Sequence, residues 1–135
     1  MALPTRRWDL LLIMTAPPHY NDTFTTVLRL SEAMLRRGGA VRVWACGYAN
    51  MLTQDTHGET KPKNTRAPEV AYPSSAAIVR QLIAGNEGRF GWIGCTTCSA
   101  ERGATNHIAE VLMRSPGRLM ATMATSAKTI FIGGA

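Results

Sequence analysis

The sequence has no apolar run long enough to cross a membrane. Its longest, Leu10 to Met14, falls far short of the roughly 20 residues that a spanning helix needs. Nothing ahead of it resembles a secretory leader, because Met1 to Arg7 is short and runs straight into a strand-like segment. Cysteine is sparse, three residues in 135 and an odd number. Without a leader they read as reduced thiols of a cytoplasmic protein. Cys95 and Cys98 have no second Cys-x-x-Cys and no paired histidines to complete four zinc ligands, which weighs against a metal centre. No Gly-x-Gly-x-x-Gly follows the first strand-like run, so nothing asks for a dinucleotide cofactor. Repeats and low-complexity segments are missing as well.

Concentrated charge is also missing. The formal net charge is +6 and the pI near 9.8, yet the basic residues are scattered in ones and twos. Arg6-Arg7, Arg36-Arg37 and Lys61-Pro62-Lys63 are the densest points. Aromatic rings do not alternate with them as on a base-stacking platform, so direct nucleic-acid binding is disfavoured. With 45% hydrophobic residues, the 135-residue chain reads as a single domain, 1–135, with a real core.

What is present is an alternation of strand and helix patterns. Trp8 to Thr15 is a continuous apolar run of strand length, as expected for a strand covered on both faces in a parallel sheet. Ala16 to Asn21, with two prolines, is a loop that places His19 and Tyr20 where open α/β sheets bind ligands. Asp22 is the expected cap of a helix whose buried face is Phe24, Val27, Leu28, Ser31, Met34 and Leu35. Gly38-Gly39 stops it after Arg36-Arg37. Ala40 to Ala45 is a second strand ending at Cys46, which completes a βαβ unit. Thr53 to Pro73 is polar, has three prolines and no apolar period, and reads as a long surface loop carrying Lys61, Lys63 and Arg66.

A helix then starts at Ser74 or Ser75 and turns Ile78, Val79, Leu82 and Ile83 inward. Strands are predicted at 90–94, 108–113 and 129–132. Between the last two, Ser115-Pro116 opens a helix that buries Leu119, Met120 and Met123. The order implies a three-layer α/β domain with five mainly parallel strands and helices on both faces.

The chemistry concentrates in Cys95-Thr96-Thr97-Cys98-Ser99-Ala100-Glu101-Arg102-Gly103. Cys95 falls at a strand–helix junction, where unpaired N–H groups and the helix dipole favour thiolate over thiol. Arg102 follows Cys98 by four residues and Cys95 by seven, so a helix puts all three on one face. This pattern suits a nucleophilic or sulfur-carrying thiol. The same residues also fit a small buried apolar cysteine or a Cys-x-x-Cys redox pair.

Taken together, the first strand and loop, the helix Asp22–Arg37, the pattern Cys95-x-x-Cys98-x-x-x-Arg102-Gly103 and the closing run Ser115 to Ile132 resemble the DsrE/DsrF-like family, which includes the TusD-type sulfur-relay proteins. The resemblance implies a flavodoxin-like five-stranded sheet and homo-oligomers, a trimer or hexamer. It also implies a persulfide sulfur carried on Cys95, exchanged with donor and acceptor proteins, with Cys98 and Arg102 beside it and no cofactor. The competing expectations are a non-catalytic oligomeric scaffold and a dithiol redox protein.

Overall fold

The computed structural model describes residues 7–61, 66–67 and 69–133. Arg6 and Lys63 lie outside the described residues. The apolar run forms β1 (Trp8–Met14), in which Leu11, Leu12 and Met14 are fully buried. It pairs on one side with β2 (Val41–Ala45) and on the other with β5 (Ser126–Ile132). β2 in turn pairs with β3 (Phe90–Cys95), and β3 with β4 (Leu112–Arg114). Every pairing is parallel, and the strand order is β4-β3-β2-β1-β5.

Because side chains alternate along a strand, the sheet carries two cores. Leu10, Leu12 and Met14 of β1 join Val41, Val43, Phe90 and Trp92 on one face. That face is covered by α1 (Thr23–Arg36) and α2 (Ser75–Gly85), which contribute Val27, Leu35, Ala76 and Val79. Leu11 and Ile13 join Trp44 and Ile93 on the other face, under Leu119 and Met123 of α4 (Leu119–Ala124). Each fully buried aliphatic side chain stabilises the fold by ~1.5–3 kcal/mol, so β1, buried on both faces, is its anchor. A short α3 (Thr96–Glu101) leaves the end of β3, and Gly103, at φ 66, ends it in the left-handed region that glycine tolerates.

Several expectations shift in detail. Asp22 makes no side-chain cap bond; Asn21 Oδ1 accepts the Thr23 N–H instead, at 2.9 Å. Ser74 caps α2 as expected, its Oγ accepting the Ala77 N–H at 3.1 Å. The fourth strand covers only 112–114, and the fifth begins at Ser126. The last helix starts as a 3-10 turn, Pro116–Arg118, which rotates α4 so that Thr122 is buried and Met120 is 73% exposed. At the head of the 53–73 stretch, Thr53 and Gln54 are buried, at the end of a 3-10 turn (Gly47–Thr53) and before a second one (Asp55–His57). Among the described residues no helix is long and apolar enough to cross a membrane.

Candidate functional site

The register of β2 on β3 sets Ala45 opposite Gly94, so the next residues, Cys46 and Cys95, leave the sheet side by side. Cys95 caps α3, and its Sγ accepts the N–H of Cys98, 3.5 Å away. Cys98, one turn into α3, lies against Cys95 through that N–H, and its thiol interacts with that of Cys46. All three cysteines therefore lie near one another at the C-terminal ends of β2 and β3. They are free thiols; Cys95 is 1% exposed, while Cys46 and Cys98 are half-buried. Among the described residues no group of three His, Cys, Asp or Glu side chains could hold a metal ion.

Burial pushes the Cys95 thiol above its usual range. The N–H groups of Cys98 and Thr97 pull the other way but do not prevail. The thiolate-favouring junction expected from the sequence is thus outweighed by desolvation, since one long N–H···S contact cannot replace the water removed from a nearly inaccessible sulfur. Cys46 is pushed up as well, first by burial, then by the charge and hydrogen bond of Cys98 and the charge of Cys95.

Arg102 closes α3 as its C-cap. Its Nη1 donates to the Cys98 carbonyl at 3.2 Å and pairs with Glu101 at 3.3 Å. The guanidinium lies over the Tyr48 ring, 4.5 Å from its centre, and ties α3 to the turn that follows β2.

A buried polar network that hydrophobic patterning cannot reveal fixes the cysteine turn. Asn50 is fully buried in the Gly47–Thr53 turn. Its Oδ1 accepts the Cys95 N–H at 2.9 Å and the Ser99 hydroxyl at 3.2 Å. Its Nδ2 donates to the carbonyls of Ala45 and Gly47 at 3.1 and 2.9 Å. These four bonds exhaust the amide's capacity. Ser99 in turn accepts from His107 Nε2 at 2.9 Å, and His107 Nδ1 accepts from Thr53 Oγ1 at 2.8 Å. Burial lowers the His107 pKa, which suits the neutral ring this chain of bonds requires. Gln54 completes the frame, donating to the Asn50 and Ala104 carbonyls and accepting the Asn106 N–H.

A cleft of about 380 Å³ opens beside α3, lined by Thr96, Ser99, His107, Ile108, Val111 and Met113. A larger cavity of about 450 Å³, around Trp8, Arg42, Gly91, Arg114 and Arg118, contains none of the cysteines. His19 and Lys61 line a separate cleft with His57 and Ser75 and are not brought to the thiols.

No family model and no curated protein matches the sequence. Among solved structures, the ychN protein from E. coli superposes over 92% of this chain and 98% of its own, with a TM-score of 0.69 at 15% identity. The two share a fold. The five-stranded, parallel α/β architecture expected from the sequence stands. At this identity the likeness to the ychN protein extends to the fold alone.

Proposed function

We propose that this protein is a sulfur carrier that holds a persulfide on Cys95 and passes the sulfur to an acceptor thiol. The observation that carries the reading is the convergence of the three thiols at one sheet end, where the Cys98 N–H bonds the Cys95 Sγ and β2 sets Cys46 alongside. The shared fold and the resemblance of Cys95-x-x-Cys98-x-x-x-Arg102-Gly103 to the DsrE/DsrF-like pattern support it; a TusD-type relay is its finer form.

In the reaction, the Cys95 thiolate attacks the terminal sulfur of a donor persulfide, and the donor's inner sulfur leaves as a thiolate. Cys95–S–S⁻ results. Its reactive atom stands about 2 Å beyond the buried Sγ, within reach of the neighbouring thiols. The Cys98 N–H that already bonds this Sγ stabilises the anion. Transfer reverses the step: an acceptor thiolate takes the outer sulfur and Cys95 leaves. Cys98 serves as the adjacent exchange thiol, and Arg102 is a positioning residue that clamps the helix end. Copies associate into a trimer or hexamer, a proposal supported by the exposed Leu112, Met120, Ile130 and Phe131.

The test is intact-mass analysis after treatment with glutathione persulfide, followed by peptide mapping. One added sulfur on Cys95 is expected, lost in Cys95→Ser and retained in Cys98→Ser. Sulfur taken up on Cys98 or Cys46 in Cys95→Ser overturns the role of Cys95. If no cysteine gains sulfur, the scaffold reading takes its place. The dithiol reading takes it if a Cys95–Cys98 disulfide forms without sulfur uptake.

A further inference from the structure

We propose that Cys46 is a resolving thiol, which discharges the persulfide as hydrogen sulfide by forming a disulfide with Cys98. The proposal deepens the sulfur-carrier reading and rests on it for the origin of the persulfide.

Sequence spacing hides this pair. Cys46 lies 52 positions before Cys98 (98 − 46) and belongs to no Cys-x-x-Cys motif. Only the parallel pairing of β2 with β3 brings it beside Cys95 and the cysteine turn, where its thiol interacts with that of Cys98. Three features favour Cys46 over Cys95 as the partner of Cys98. Cys46 and Cys98 are both half-buried, so small products leave to solvent, whereas Cys95 is 1% exposed. Cys95 is anchored: its N–H is held by Asn50, and its residue is the last of β3. Cys46, although its own N–H donates to the Met14 carbonyl at 2.8 Å, lies beyond the last residue of β2 and caps a 3-10 turn, and Cys98 sits in a helix of six residues. Finally, Leu119 and Met123 join Cys46 in packing against the Trp44 cluster, which leaves the Cys46 thiol only partly screened from solvent.

The steps balance. The Cys98 thiolate attacks the outer sulfur of Cys95–S–SH, giving Cys98–S–SH and the Cys95 thiol. The Cys46 thiolate then attacks the inner sulfur on Cys98. The S–S bond breaks toward the outer sulfur, which takes the electron pair and a proton and leaves as hydrogen sulfide. The net change is Cys46–SH plus Cys98–S–SH giving Cys46–S–S–Cys98 plus H₂S. The sulfane sulfur is reduced and the two thiols are oxidised, so no external oxidant takes part. A small dithiol such as dithiothreitol returns the pair to thiols.

The experiment has two arms. In the first, the wild-type protein is equilibrated with oxidised and reduced glutathione, without any sulfur donor, and its disulfides are mapped. A Cys46–Cys98 bond is expected; a Cys95–Cys98 bond alone, or only mixed disulfides with glutathione, overturns the pairing whether or not the protein carries sulfur. In the second, protein loaded from glutathione persulfide is desalted and its sulfide release is measured. Wild type should release sulfide while losing two hydrogens at Cys46 and Cys98, whereas Cys46→Ser and Cys46→Ala should keep the added sulfur. Equal sulfide release from wild type and both variants overturns the resolving role. If nothing loads, the carrier reading fails and the resolving step fails with it, while the first arm still decides the pair.

Discussion

Asn50 offers the sharpest test of what holds the cysteine turn in place. Truncating it in Asn50→Ala deletes four hydrogen bonds at a fully buried position, two of them on the backbone ends of β2 and β3. At a net ~1 kcal/mol each, the loss comes to about 4 kcal/mol, before any cost of leaving the buried Cys95 N–H without this acceptor. For a domain of this size that corresponds to a fall in Tm on the order of 10–15 °C. Asn50→Asp keeps the two accepting contacts but turns a carboxylate oxygen toward the Ala45 and Gly47 carbonyls, so it should cost at least as much. The control is Asn86→Ala, which removes a single part-buried bond to the Leu82 carbonyl and should cost about 1 kcal/mol or less. Urea unfolding followed by tryptophan fluorescence measures all three, since Trp44 and Trp92 are buried. If Asn50→Ala loses under about 1 kcal/mol with an unchanged m-value, the network does not hold the turn and the reasoning fails.

Ser74→Ala removes both the cap bond to Ala77 and the 2.6 Å bond to the Gly58 carbonyl, and should cost about 1–2 kcal/mol in the same urea assay. An effect within the error of the wild type would show that α2 does not need its cap. The lowered His107 pKa means that the unfolded chain binds a proton more readily than the folded one. Stability should therefore fall as pH drops below the ordinary histidine value of 6.5, and His107→Gln should flatten that fall in a series of denaturation midpoints. At the alkaline end, the raised Cys46 and Cys95 pKa values make the unfolded chain lose its protons first. Stability should decline as pH rises past the ordinary thiol value of 9.0, and less so in Cys46→Ser. Light scattering should give a trimer or hexamer mass, and a monomer mass at high protein concentration would refute self-association.

Legibility from the sequence tracked the physical signal that each element emits. β1 and α1 were plain because a two-faced apolar strand and a one-faced helix write long, regular patterns. The fourth strand was set at 108–113 but covers 112–114. Ile108 is buried for a different purpose, its N–H bonding the Thr53 carbonyl beneath the loop. An apolar run reports burial and does not report pairing. A helix phase counted from Pro116 turns Met120 inward, but a turn of 3-10 geometry advances that phase differently from α. Cys95 and Cys98 were found by local spacing. Cys46 stands at a predicted strand end, but its proximity depends on strand order, which local spacing does not encode. Asn50, Gln54, Ser99 and His107 were missed because buried polar residues break no pattern; their partners lie as far apart as Thr53 and His107. Among them only Asn50 and Gln54 left a trace, two amide side chains one helical turn apart just after a strand.

The placement of β5 has a consequence for how the chain reaches this structure. β1 lies between β2 and β5, and its outer edge is covered by Ser126–Ile132 through a register that runs from Trp8↔Ser126 to Met14↔Ile132. At ~5–20 residues per second, a ribosome needs on the order of ten seconds between making the two strands. Through that interval Trp8–Met14, an apolar segment of high strand propensity, presents an unpaired edge that can recruit a strand from another chain. The final pairing must also close a loop that includes nearly every other element, so collapse of the β1–α1–β2 unit can be fast while completion of the sheet is slow. Conditions that delay β5 should therefore lead to aggregation through β1, even though β1 is buried on both faces of the finished fold.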